Sequence, residues 1–204
     1  VHGDLYFVGA KTDPDAKGSS GISAFLVERD TPGLSVGQPE KKMGQKGAHV
    51  ADVYFDGCRV GADALLGEEG SGFKTAMKTL DRGRLHIAAV CVGIAERLIH
   101  EALSYAMQRR QFGQAIADFQ LVQAMLADSK MEAYAGRAMV LDAARRRDAG
   151  ENIPTEAPCC KLFCSEMVGR VADRAVQIHG GAGYMAEYAV ERFYRDVRLF
   201  RIYE

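Results

Sequence analysis

Leu66-Gly67-Glu68-Glu69-Gly70-Ser71-Gly72-Phe73 is the stretch across which the chain changes its periodicity. Upstream of it, apolar residues come in short runs separated by turn chemistry. Leu5-Tyr6-Phe7-Val8 is followed by Asp13-Pro14-Asp15 and Gly18-Ser19-Ser20-Gly21, and Ser23-Ala24-Phe25-Leu26-Val27-Glu28 is closed by Asp30-Thr31-Pro32-Gly33. Gly, Pro, Asp and Ser at such junctions reverse the chain, so the runs read as strands. Val53 and Phe55 alternate with Asp52, Tyr54 and Asp56, the pattern of a half-buried strand. So few strands make a marginal sheet unless further strands or another domain cover them.

Downstream of Gly70 the period becomes helical. Ser71 is a candidate cap for a helix over residues 71 to about 109, more than ~50 Å long at the rise of an α-helix. Gly83 and Gly93 weaken it without having to end it. A second helix is expected from Asp118, as its N-cap, to Ala149, with Leu121, Met125, Met131 and Ala135 near one stripe and Gly150 as its stop. Arg145-Arg146-Arg147 in its last turn reads as a solvated helix end that suits the dipole. A third helix is expected over residues 155–179, its buried face formed by Phe163, Met167, Val171, Ala175 and Ile178 and its end set by Gly180. A shorter fourth covers residues 190 to about 199. The pattern implies an α+β chain, mostly α. Part of a β-barrel or sandwich domain occupies residues 1–70, and an up-down four-helix bundle occupies residues 71–204.

Composition excludes several classes. The 204 residues are 48% hydrophobic and 26% charged, as in a globular protein, and a net charge of −1 gives no field to draw nucleic acid or a membrane surface. No apolar run reaches the ~20 residues of a bilayer span, which argues against membrane insertion. Val1-His2-Gly3-Asp4 has the character of neither a secretory leader nor a basic transit peptide and lacks a start methionine, so further chain is expected upstream. Five cysteines, Cys58, Cys91, Cys159, Cys160 and Cys164, are an odd count that argues for a reducing compartment and against a disulfide framework. Cys160 and Cys164 share a helix face, but no Cys-x-x-Cys pair or nearby histidine completes a metal site, and small buried thiols are expected.

The richest stretch for chemistry is Gln177-Ile178-His179-Gly180-Gly181-Ala182-Gly183-Tyr184, followed by Glu187, Arg192 and Asp196. One glycine would suffice to end a helix; three in four residues suggest close approach of a backbone or ligand. Gly181-x-Gly183-x-x-Ala186 fits the loose dinucleotide fingerprint, but that fingerprint opens a helix after a strand, and this stretch closes one. Asp81 and Arg84, three apart, share a face and by themselves read as a surface ion pair of small energetic value.

Taken together, these blocks resemble the acyl-CoA dehydrogenase family. Gln177-x-x-Gly180-Gly181-x-Gly183-Tyr184-x-x-Glu187-x-x-x-x-Arg192-x-x-x-Asp196 is similar to its C-terminal signature. Tyr105-Ala106-x-x-Arg109-x-x-Phe112-Gly113 with Phe119-Gln120 resembles its flavin-contacting turn, and Leu80-Asp81-x-x-Arg84 its acyl-CoA-contacting segment. Gly21-Ile22-Ser23-Ala24-Phe25-Leu26-Val27, Lys42-Met43-Gly44 and Leu66-Gly67-Glu68-Glu69-Gly70-x-Gly72-Phe73 resemble its middle β domain. The blocks cover essentially the whole chain in the family's order.

The resemblance implies FAD as cofactor, contacted by Arg109, Gln111, Phe112, Gln120, Gln177, Ile178, His179, Gly180 and Gly181, with Asp81 and Arg84 against the acyl-CoA. It implies that the Arg109 turn reaches the FAD diphosphate of a neighbouring subunit, a task that suits the planar fork of arginine. Glu204, at the end of Arg201-Ile202-Tyr203-Glu204, matches the family's catalytic base. Some members carry the base one residue before the equivalent of Arg84; that position is Gly83 here, which cannot act. The expected reaction is α,β-dehydrogenation to a trans-2-enoyl-CoA, with an electron-transfer flavoprotein as acceptor and a homotetramer (or homodimer) as the assembly. The compartment favoured is a bacterial cytoplasm, with the mitochondrial matrix as the other. An acyl-CoA oxidase or other flavin enzyme on the same scaffold, and a non-catalytic scaffold homologue, are the alternatives. The resemblance also implies chain beyond Glu204 and a helical domain upstream that supplies most contacts to the flavin ring, so that residues 1–204 alone would bind FAD weakly.

Overall fold

The computed structural model describes residues 2–204. Val1, first of the four residues read above for leader character, lies outside the described residues. The chain forms two compact units that meet at Leu80 and Asp81, inside the first long helix.

The first unit is built on two antiparallel ribbons. β1 (Leu5–Lys11) pairs with β2 (Ile22–Glu28) from Leu5 opposite Glu28 to Lys11 opposite Ile22. The buried Ser23 hydroxyl lies 2.7 Å from that of Thr12 and accepts the Gly70 N–H at 2.8 Å, while the Leu66 N–H donates to the Ala24 carbonyl. This stitching explains the glycines of the fold-deciding stretch: a Cβ on Gly72 would stand 2.5 Å from the Ala24 nitrogen. β3 (Leu34–Val36) pairs with β4 (Val53–Phe55). The half-buried alternation expected for Val53 and Phe55 is not realised, since all three β4 side chains are exposed. β4 pairs along one edge with a strand of equal shortness, which satisfies backbone groups but covers neither face.

α1 (Gly72–Gln108) runs unbroken through Gly83 and Gly93. Ser71 precedes it, but its hydroxyl donates back to the Glu68 carbonyl at 2.6 Å, while its own carbonyl accepts the Thr75 N–H. A two-stranded hairpin, β5 (Arg110–Gln111) and β6 (Gln114–Ala115), leads through a 3-10 turn over Ile116–Asp118 into α2 (Gln120–Asp148). Asp118 is therefore not the N-cap. It sits inside that turn, closed by the Phe119 N–H on the Ile116 carbonyl, and Phe119 is the capping residue.

The stripe expected on α2 is realised in part: Met125 packs against the core and Ala135 is half-buried, but Leu121 and Met131 are exposed, and the fully buried positions are Ser129, Ala133, Gly136 and Ala143. A Cβ on Gly136 would come within 3.1 Å of the Cys164 sulfur and 3.3 Å of the Met167 methyl, so at that position α2 approaches α3 too closely for a larger side chain. α3 (Glu156–His179) buries Met167, Val171, Ala175 and Ile178, with Phe163 partly covered. α1 meets it with Ala88, Cys91, Ala95, Leu98, Ala102 and Ala106, mostly small residues at near-heptad spacing, and the two helices run in the same direction, with Tyr105 and His179 together at their C-terminal ends. Glu132 ties α2 to α3 through Arg170 at 2.9 Å and Arg174 at 3.0 Å. In the arginine run that ends α2, Arg146 bridges Glu151 and Glu156 rather than standing in solvent alone. α4 (Ala189–Val197) completes the bundle.

Candidate active site

At the end of α1 the hairpin turns through Phe112 (φ 51) and Gly113 (φ 82). Two successive positive φ values make the mirror-type turn that matches the twist of short hairpins. Glycine accepts that conformation freely, but a phenylalanine is strained in it, and the Phe112 ring is 93% exposed. The Ile116 N–H donates to the Arg109 carbonyl at 2.8 Å and folds the hairpin back on the helix end.

α3 ends against this region. Gly180 takes φ 59, ψ −136, and a 3-10 turn over Gly180–Tyr184 follows. The ring of the buried His179 stacks on Tyr105 with centroids 4.3 Å apart, and Tyr188 stands edge-on to both. His179 Nδ1 lies 2.8 Å from the Ala175 carbonyl, which can only accept, so Nδ1 carries a proton. Between these elements lies a groove of about 440 Å³ lined by Arg109, Gln111, Ile178, His179, Gly180 and Gly181, together with Tyr105, Ile116, Ala182 and Tyr188. No carboxylate lines it, so the exposed Arg109 faces no competing anion there.

The groove thus gathers six of the residues singled out in the sequence. Phe112 and Gln120 lie outside it. They line an adjoining apolar depression of about 650 Å³ with Phe119, Leu121 and Val122, and Gln111 borders both. Gln177 lines neither; it is exposed, and its carbonyl accepts the Gly180 N–H. The glycines divide the work. Gly180 supplies a positive φ, and Gly183 permits close approach, since a Cβ there would stand 2.6 Å from the Val176 carbonyl oxygen. Gly181 faces open space. Tyr105 and Tyr188 were not assigned to the site from sequence; an aromatic residue four before Arg109, on the same helix face, was the available signal.

The other candidate centre lies near the start of the second unit. After α4, whose Arg195 grips Glu191 with two hydrogen bonds of 2.9 and 3.0 Å, a 3-10 turn over Arg198–Arg201 brings Phe200 into the core. Phe200 stacks on Tyr203, whose phenol is pushed up by burial and, further, by the nearby Cys91 thiol and Glu204. Arg201 pairs with Glu166 on α3 at 3.0 Å. Glu204 (φ 61) then lays its carboxylate over the backbone of α1 at Gly83: a Cβ built there would come 2.7 Å from Oε1 and 2.8 Å from Cδ. Asp81 and Arg84 flank that glycine and pair with each other at 2.9 Å, with Asp81 61% exposed.

Gly83 and Arg109 are separated by almost the whole remaining length of α1, roughly 40 Å at the rise of an α-helix. Within one chain, the arginine groove and the Glu204 carboxylate are therefore two places. Between them the core holds Cys91 and Cys164, both buried thiols whose pKa is pushed up to about 12 chiefly by desolvation.

Residues 2–58 match the middle domain of acyl-CoA dehydrogenases and residues 70–204 match their C-terminal domain. A Mycobacterium tuberculosis protein named as a probable acyl-CoA dehydrogenase is 46% identical over 200 residues, 98% of this chain and 51% of its own length. A caffeyl-CoA reductase–Etf complex subunit of Acetobacterium woodii is 45% identical, over 96% of this chain and 51% of that protein. The solved butyryl-CoA dehydrogenase of Megasphaera elsdenii superposes with a TM-score of 0.94 at 43% identity, covering 98% of this chain and 52% of that one. The chain spans about half the length of the curated relatives it matches. With a hairpin-and-glycine groove at one end of α1, a glutamate over a helical glycine near the other, and both domains matched in order, the chain belongs to the acyl-CoA dehydrogenase family.

Proposed function

We propose that this chain carries the base and one wall of the cofactor site of an FAD-dependent acyl-CoA dehydrogenase. The observation that carries the reading is the Glu204 carboxylate lying over Gly83, between Asp81 and Arg84 on α1. A carboxylate with no side chain beneath it can swing toward the α-carbon of a thioester. Asp81 and Arg84 are suited to hold the acyl-CoA beside it.

The α-proton of a thioester is too weakly acidic for a carboxylate in water, so the site must bring the two acidities together. Hydrogen bonding to the thioester carbonyl, for which the Glu204 N–H is the candidate donor in this chain, stabilises the developing enolate by several kcal/mol on the usual order. Exclusion of water by the bound acyl chain raises the energy of the carboxylate anion and strengthens it as a base. FAD, when bound, supplies the acceptor for the β-hydride. Glu204 takes the α-proton, and a trans-2-enoyl-CoA leaves.

The groove at Arg109 fits the cofactor's anionic part. It offers a guanidinium fork, the unobstructed Gly181 and no carboxylate. Arg109, Gln111, Ile178, His179, Gly180 and Gly181 are the residues that would hold it, with Phe112, Gln120 and Gln177 at its margin. The separation along α1 exceeds the reach from a flavin ring to its own diphosphate, so the groove serves FAD held by a second copy. A homotetramer or homodimer follows, and the exposed Phe112 and Leu121 give it apolar surface.

An electron-transfer flavoprotein as acceptor is supported by the Acetobacterium relative, which is named as part of an Etf complex. We place the domain division at residues 1–70 and 71–204, where ribbons give way to helix. A reducing bacterial cytoplasm suits the free cysteines, and no helix is long and apolar enough to cross a membrane among the described residues. The same relative's name also supports a second reading, in which the protein works as an enoyl-CoA reductase.

The test is anaerobic flavin bleaching of the full-chain holoenzyme by straight, branched and aromatic acyl-CoAs, with Glu204→Gln beside the parent. Glu204→Gln should bind FAD and acyl-CoA yet fail to bleach; bleaching at the parent rate removes Glu204 from the role.

A further inference from the structure

We propose that Gly169 and Arg201 form a latch that positions Glu204, which makes both of them positioning residues for proton abstraction; this rests on the reading of Glu204 as the base. Three observations converge on it. Arg201 stands three residues before Glu204, and its guanidinium lies across the backbone of α3 at Gly169. A Cβ built on Gly169 would come 2.7 Å from Nη2, 3.0 Å from Cζ and 3.2 Å from Nε, so the planar group occupies the space a side chain would need. The ion pair from Nη2 to Glu166 at 3.0 Å fixes the fork's direction along α3.

The geometry accounts for the whole end of the chain. Phe200 is buried and stacks on Tyr203, which anchors the segment in the core by its apolar side. The Ile202 and Tyr203 N–H groups donate to the Leu199 carbonyl, which closes the segment's own turn without tying it to α3. Arg201 provides the second point of attachment, on α3, while Glu204 projects to α1 over Gly83. Two glycines on two helices thus receive the two charged groups of the same short segment. The ion pair is half-exposed and by itself worth little. The flat seating on Gly169 is what makes arginine, rather than any cation, fit. A displacement of about 1 Å at a reacting group can cost on the order of 10²-fold in rate, so a latch remote from the substrate can still govern turnover.

The experiment is a double-mutant cycle on the FAD-loaded full-chain enzyme, with Gly169→Ala, Arg201→Ala and the pair. It reads the limiting rate of flavin reduction and, separately, the acyl-CoA dissociation constant from the flavin spectral shift. Each single variant should lower the limiting rate by roughly 10- to 100-fold while leaving the dissociation constant near the parent value. The pair should be no slower than Arg201→Ala alone, because an alanine at 169 obstructs nothing once the guanidinium is gone. Thermal unfolding supplies the readout that a merely structural role would not match: alanine favours a helix over glycine, so Gly169→Ala in the Arg201→Ala background should melt higher, not lower.

Parent-like rates in either single variant overturn the latch, as do losses that multiply in the pair. Glu204→Gln separates the two ideas. If it bleaches at the parent rate, the base assignment itself has failed; if it is inactive while Gly169→Ala and Arg201→Ala are fully active, the latch alone has failed.

Discussion

Glu204 and Gly83 meet across the bundle, the carboxylate of one resting where the other has no side chain, with 2.7 Å between Oε1 and the place a Cβ would take. Gly83 lies inside α1, where alanine would ordinarily stabilise by about 0.5–1 kcal/mol. Gly83→Ala should therefore fold at least as well as the parent yet reduce flavin about 10²-fold more slowly, because the carboxylate is pushed from its place. Calorimetry and stopped-flow bleaching together check this; an unchanged rate would mean that the carboxylate does not work from over Gly83.

Gly181 and Gly183 should part company when each is replaced by alanine. At Gly183 the added carbon meets the Val176 carbonyl oxygen at 2.6 Å and the His179 Cβ at 2.9 Å, so backbone must move. Gly183→Ala should cost about 1–3 kcal/mol of stability. Gly181→Ala meets nothing and should stay within about 0.5 kcal/mol of the parent, while weakening FAD retention by crowding the groove. Denaturant titration and flavin stoichiometry after gel filtration distinguish the two.

Arg109→Ala should leave the melting temperature nearly unchanged, since the side chain is exposed at a helix end, and should release FAD more readily. Its binding contribution is electrostatic, so the difference between parent and variant should shrink as salt rises. FAD fluorescence recovered on dilution at two ionic strengths measures it. Equal retention at low salt would place the diphosphate elsewhere.

The thiols predict an alkaline limit. Cys91 and Cys164 are held neutral in the fold, with pKa values pushed up to about 12 from an ordinary value of 9.0. Their folded-state pKa is raised, so the unfolded chain loses those protons first as pH climbs. The stabilising contribution is fully present below pH 9 and disappears as pH rises toward 12. Tyr203, also raised, acts in the same direction. Near neutral pH a thiol reagent should modify the exposed Cys159 while sparing Cys91 and Cys164 until the protein unfolds, as peptide mass mapping would record.

Much of this was legible in the sequence because the signals were local. The change of period after Gly70, the stop at Gly180 and the buried face from Met167 to Ile178 depend on neighbours within a few turns, and they appear where the residues imply. What was misread depended on partners far along the chain. Leu121 looks like core from its spacing, yet the fully buried positions of α2 are Ser129, Ala133, Gly136 and Ala143, and the larger side chains that reach the core, Met125 and Leu126 among them, do so at its edge. Asp118 looks like a cap, but it is taken up by the 3-10 turn over Ile116–Asp118, which moves the cap one residue on to Phe119. His179 and the turn that begins at Tyr105 are legible as sequence, but their stacking with Tyr188 is not, because it exists only when α1 and the end of α3 come together. Gly83 was read as the absence of a base; its space turned out to be where Glu204 lies.

The span of α1 has a genetic corollary. In the proposed assembly each flavin draws its arginine from one polypeptide and its glutamate from another, so a lesion belongs to a shared centre rather than to a single molecule. A cell making two defective forms at once, one without Arg109 and one without Glu204, would build mixed oligomers in which some centres combine two intact halves. Two alleles that are each null alone would then partly rescue one another.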